Sequence, residues 1–157
     1  MASRNLRDAL MSLLIGVPLA VLGSAIAYND PLTGIHATRH KYLHNKGAAV
    51  YFSIKVVSGI TPSRRDDIVS LVYALIKCAL GELPWEDEVD TDDILLQKWA
   101  IDTDEICKGL PPVFGRILWH AQMMVYTQQL EYEIWKQGFW CCRSRLGFPE
   151  GGLIWEH

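Results

Sequence analysis

A chain of 157 residues, 50% hydrophobic and 21% charged, is long enough for one domain with its own core and too apolar for a disordered polymer. A formal net charge of -3 and a pI near 5.9 supply no general attraction to nucleic acid or to an anionic membrane, which excludes the basic-protein classes. Cys78, Cys107, Cys141 and Cys142 form neither a CxxC pair nor a metal-ligand spacing, so they read as reduced thiols of a cytosolic or nuclear protein.

The first element in chain order is apolar. From Ala9 to Tyr28 there are 20 residues without a charge, preceded by Arg4 and Arg7 and ending in Ala25-Ile26-Ala27, the pattern of a signal peptide or membrane anchor. Gly16, Pro18 and Gly23 break the same run into two short pieces that also suit two buried strands joined at Gly16-Val17-Pro18. Residues 1–20 therefore form an apolar N-terminal segment, residues 21–140 the main domain and residues 141–157 a Gly-rich tail without periodicity, expected to be flexible.

Residues 29–47 contain Pro31, Gly34 and Gly47 and no helical period, so a loop is predicted. His36, His40 and His44 have the i, i+4, i+8 spacing that would line up metal ligands on a helix, but Pro and Gly around them favour loop and no metal is expected. Arg39, Lys41 and Lys46 read as a solvated basic loop. At Ser63 the pattern changes. Ser63 with Asp66 forms a capping box, Ile68, Leu71, Val72, Leu75, Ile76, Ala79 and Leu80 repeat as one apolar face, and Gly81 closes the helix.

Residues 86–93 are acidic and read as a solvated connection, with Thr91 capping a short helix through Trp99. A further short helix is predicted over 103–109. A proline of the Pro111-Pro112 pair at a first helical position then opens an amphipathic helix carrying Val113, Ile117, Leu118, Ala121, Met124 and Val125, and a last helix is predicted over 130–139. With six tryptophans and six tyrosines, most aromatic rings should lie in the core or face a partner.

Several of these segments resemble one family. Ser63-Arg64-Arg65-Asp66-Asp67, followed by Ser70-Leu71 and Tyr73, resembles the S-R-R-D-D-x-x-S-L-x-Y that opens the central helix of the C-terminal lobe in casein kinase 1 and vaccinia-related kinases. Gly81-Glu82-Leu83-Pro84-Trp85 is similar to the G-x-L-P-W that ends that helix, and Cys107-Lys108-Gly109-Leu110-Pro111-Pro112-Val113-Phe114 to its C-K-G-x-P-x-x-F. Upstream, Tyr28-Asn29-Asp30-Pro31, Thr33-Gly34 and His36 are similar to the activation segment, and residues 47–54 to the family's G-T-A-R-Y-A-S-I. The resemblance implies a mainly α fold, a kinase-like C-terminal helical lobe without the N-terminal β lobe. It also implies that Asp67 accepts backbone N–H groups of a catalytic loop.

The chemistry is expected to be missing. A kinase holds ATP and Mg²⁺ with a Gly-rich loop, a strand lysine, a catalytic Asp and Asn and a metal-binding Asp. No G-x-G-x-x-G occurs, and the family's D-F-G triplet falls on Val21-Leu22-Gly23, where valine offers no oxygen to a hard cation. Leu6-Arg7-Asp8 is a weak echo of H-R-D, yet taking Asp8 as the base leaves only 12 residues before Val21, too few for the intervening loop and strands. Asp8 therefore reads as a surface charge. Val50 and Ala48 replace the arginine and threonine of G-T-A-R-Y, and Ala121 to Tyr126 replace a C-R-S-L-R-F run, removing charges that would meet an anionic substrate or brace the lobe. The expectation is a truncated or degenerate kinase-like domain without cofactor or metal, without nucleic-acid or membrane binding, and with a protein partner as its one plausible ligand. A non-catalytic scaffold, and a small protein anchored or secreted through residues 9–28, are the alternatives.

Overall fold

The computed structural model describes residues 30, 32–36, 49–145 and 147. Among these the chain is mainly helical, with α1 (Ile54–Val57), α2 (Arg64–Leu80), α3 (Thr91–Ala100), α4 (Thr103–Ile106), α5 (Pro112–Met123) and α6 (Tyr132–Arg145), and no strand. α2 packs mainly on α5, α1 rests on α3, and both α4 and α6 lean on α5.

Each end of α2 is fixed by local chemistry. The Asp66 carboxylate accepts from the Ser63 N–H at 2.9 Å and from the Ser63 hydroxyl at 3.0 Å, which ties the first turn to the residue before it. Gly81 adopts φ +98, the left-handed conformation that stops a helix without the cost a Cβ would add. Between them Val69, Val72, Tyr73, Leu75, Ile76 and Ala79 are buried. The face is rotated from the one expected, since Leu71 and Leu80 are 44% and 45% exposed while Val69 and Tyr73 lie inside. Apolar residues surround this helix on most sides, so periodicity alone leaves its rotation undetermined.

Other boundaries shift by a few residues for identifiable reasons. α3 is capped by Asp90, whose carboxylate accepts from the Asp92 N–H, and Thr91 is already its first helical residue. α4 ends at Ile106 rather than near Gly109, because Cys107 leaves helical geometry and Gly109 turns the chain with φ +87. α5 starts at Pro112, the second proline of the expected pair, and stops at Met123, so Val125 lies beyond the helix and is exposed. α6 runs on to Arg145, past the expected end at Phe139, which makes residues 141–145 helical rather than tail. Its inner side docks through Trp135, Phe139 and Cys142, and a Cβ at Gly138 would stand 3.0 Å from the Val113 side chain. α1 was not anticipated, since four residues are too few to show a period.

All four cysteines are free. Among the described residues no helix is long and apolar enough to cross a membrane. The apolar run at 9–28, and with it the choice between anchor and strands, lies outside the described residues.

Replacing Ile76 with alanine, at a side chain that is fully buried, is expected to cost about 2 to 5 kcal/mol through lost burial and the cavity left behind. Leu71→Ala on the half-open side of the same helix should cost less than about 1 kcal/mol. Urea melts of the two variants check the rotation of α2 directly.

Candidate functional site

Two polar clusters hold the segment that resembles the substrate-facing part of a kinase lobe. The first lies under residues 49–52. Lys98 occupies a position on α3 that its neighbours Ile94 and Ile101, at i−4 and i+3, make part of the inward face, and it is only 3% exposed. Its ammonium donates to the carbonyls of Ala49 at 2.8 Å, Val50 at 3.0 Å and Phe52 at 2.6 Å. The same nitrogen sits 4.8 Å from the Trp85 ring centre and 5.0 Å from that of Tyr73, two negative π faces. Trp85 adds its indole N–H to the Val50 carbonyl at 2.7 Å. Three donors of one ammonium thus gather three carbonyls of one short turn, and no salt bridge among the described residues engages Lys98.

Burial pulls the Lys98 ammonium down to about 7, while the carbonyls and rings around it act to keep the proton on. Burial also pushes the Tyr73 hydroxyl up to about 12, and burial and Asp104 push the Cys107 thiol up to about 11. Cys107 is therefore a protonated core thiol at neutral pH rather than a nucleophile.

The second cluster sits at the start of α2. Beyond its two bonds to Ser63, the Asp66 carboxylate accepts from the Ser53 hydroxyl at 2.6 Å, and the Ser53 oxygen accepts from the Val56 N–H to cap α1. One buried carboxylate thereby fastens α1 to α2. Arg65 lies 3.5 Å from Asp66, donates to the Met124 carbonyl at 2.7 Å and covers the Tyr126 ring at 5.7 Å. The edge of the same Tyr126 meets His36 with ring centres 4.9 Å apart, bringing residues 32–36 to this point. Arg64 reaches the Thr127 and Gln128 carbonyls.

The motif residues thus separate by role. Arg64, Arg65 and Asp66 hold α2 to its neighbours, and Trp85 holds the 49–52 turn. Pro84, Lys108 and Gly109 are exposed, and Cys107 is buried. Asp67, in the first turn of α2, keeps part of its surface in water, while the protein packed around it partly desolvates its carboxyl and, together with the charge of Asp66, raises it above the usual range. Asp8, Val21, Leu22, Gly23, Ala48, His40 and His44 lie outside the described residues, as does the catalytic loop that Asp67 was expected to hold. Val50 packs against the core with its side chain and offers its carbonyl to Lys98 and Trp85. Among the described residues no group of His, Cys, Asp and Glu side chains is placed to hold a metal ion. Lys98 was missed in the sequence; the available signal was its place in an otherwise apolar i, i+4, i+7 row.

No protein-family profile matches the chain. Over 112 residues it is 33% identical to a probable serine/threonine-protein kinase of Dictyostelium discoideum, a match covering 71% of this chain and 23% of the relative. The chain is kinase-like in sequence. It spans about a quarter of the length of that kinase, so the activity of the whole relative does not transfer with the match. The kinase-like fold is the mainly helical one described above.

Two outcomes are expected from this geometry. Asp66→Ala should cost about 3 to 5 kcal/mol, because a buried charge cluster loses its acceptor while Arg65 and two hydroxyls stay buried. Lys98→Met removes the donor shared by three carbonyls and should also destabilise the fold. The pH sign of the lysine follows from its lowered value: from about 7 upward to the ordinary lysine range the unfolded chain binds more protons than the folded one, so the native protein gains stability on Lys98→Met as pH rises. Denaturant melts at several pH values between 6 and 10 test it, and a constant difference would mean that the carbonyls hold the ammonium against burial.

Proposed function

We propose that this chain is a degenerate casein-kinase-1-like lobe that transfers no phosphate itself and acts by binding a protein partner. The observation carrying the reading is Val50. At the place where the resembled family presents an arginine to anionic substrate, this chain has an aliphatic side chain folded onto its own core. The turn that bears it is nevertheless held by Lys98 and Trp85, so the support of a substrate-facing segment persists where its recognising charge is gone.

The sequence at the metal-binding triplet supports the same conclusion. Val21-Leu22-Gly23 supplies no carboxylate, and Mg²⁺ bound to nucleotide requires oxygen donors. Four free thiols suit a reducing compartment, and cytosol or nucleus is the proposed location. No nucleotide, metal or nucleic acid belongs to this function.

The test is a thermal melt of the purified chain with and without millimolar ATP and Mg²⁺, alongside transfer of radiolabel to casein. No shift and no transfer are expected. A saturable shift of several degrees would show a nucleotide site. Transfer that Asp8→Ala abolishes without loss of fold would make Asp8 a catalytic base and overturn the proposal.

A further inference from the structure

Between residues 86 and 105 the chain carries nine carboxylates and one basic residue, Lys98, and that one is turned inward and buried. Some of the acids have internal work. Glu86 pairs with Lys77, Asp90 caps α3 and Asp102 caps α4. Asp92 and Asp93 are exposed on the first turn of α3, and no salt bridge among the described residues engages them. Farther along the same helix Leu96 and Trp99, one turn apart, are 66% and 69% exposed. Asp92, Leu96 and Trp99 stand at i, i+4 and i+7, which places them on one stripe of the helix.

The burial of Lys98 gives this stripe its character. A lysine on the outside of α3 would neutralise the neighbouring acids; its inward position leaves a helix face with two carboxylates at one end and a large apolar pair at the other. Exposed tryptophan and leucine side by side are costly in water and are the residue types that anchor interfaces. The geometry points to the outer face of α3 as a docking surface for a basic peptide segment of another protein, one whose Lys or Arg residues meet Asp92 and Asp93 and whose apolar side chains cover Leu96 and Trp99. Charge complementarity selects this occupant. A second copy of the chain would bring the same acids against themselves, and anionic membranes and nucleic acids would be repelled. The surface lies on α3 itself and does not depend on whether the lobe transfers phosphate.

Fluorescence anisotropy of a labelled amphipathic peptide of about 14 residues, built of Leu and Lys, added to the whole chain tests the surface. Two control peptides accompany it, one of lysine without leucine and one in which glutamate replaces lysine. The Leu/Lys peptide should bind, the lysine-only peptide at least about tenfold more weakly, and the Leu/Glu peptide not measurably. Leu96→Ala with Trp99→Ala should weaken binding about tenfold, and Asp92→Asn with Asp93→Asn about threefold to tenfold, with a shallower salt dependence. All four side chains are exposed, and thermal melts verify that the variants keep the fold. Equal affinity for wild type and both double variants would overturn the inference, as would equally tight binding of the Leu/Glu peptide. A dimer in light scattering that Trp99→Ala dissolves would overturn it as well, by assigning the face to a second copy.

Discussion

An ammonium group taken out of water loses its hydration, and Lys98 recovers part of that loss without a salt bridge among the described residues, burial still pulling it down to about 7. Three backbone carbonyls accept hydrogen bonds from its N–H groups, and the centres of two aromatic rings lie within 5.0 Å of the nitrogen. Those carbonyls belong to a four-residue stretch, 49–52, that makes no helix and no strand of its own. Without the lysine the turn would have to find other donors in a site where Trp85 supplies one. The interaction therefore fixes α3 against the turn and, through the turn, α1 and α2, so that a helix, a loop and the central core share one point of attachment.

The Asp66 cluster complements it at the end of the same stretch, through Ser53. There a carboxylate, with an arginine beside it, gathers hydroxyls and an N–H at the start of α2. A positive centre collects acceptors from the turn, and a negative one collects donors around Ser53 and Ser63. The 49–53 stretch is bonded to both, ending at Ser53, whose hydroxyl donates to Asp66. Such double anchoring suits a surface that is presented rather than moved.

What was legible in the sequence follows from how local each signal is. The ends of α2 depend on Ser63, Asp66 and Gly81, which act within one turn, and they were read correctly. The inward face of the same helix depends on what packs around it, and there Val69 and Tyr73 displaced Leu71 and Leu80. Arg64, Arg65, Asp66 and Trp85 were singled out by resemblance, but their partners at Met124, Thr127, Ser53 and Val50 are distant in the chain and no spacing predicts them. Lys98 was hidden for the opposite reason. A lysine is ordinarily a surface residue, and only the apolar row it interrupts betrays that this one faces inward.

Gly138 in the middle of α6 makes that helix dependent on its neighbour. A glycine there weakens the isolated helix by about 1 kcal/mol relative to alanine, while the missing side chain lets α6 approach Val113 closely. Segment 132–145 is thus poorly suited to coil into a helix by itself and well suited to do so once α5 is waiting as a template. Its helical form rests on contact with α5 more than on its own propensity.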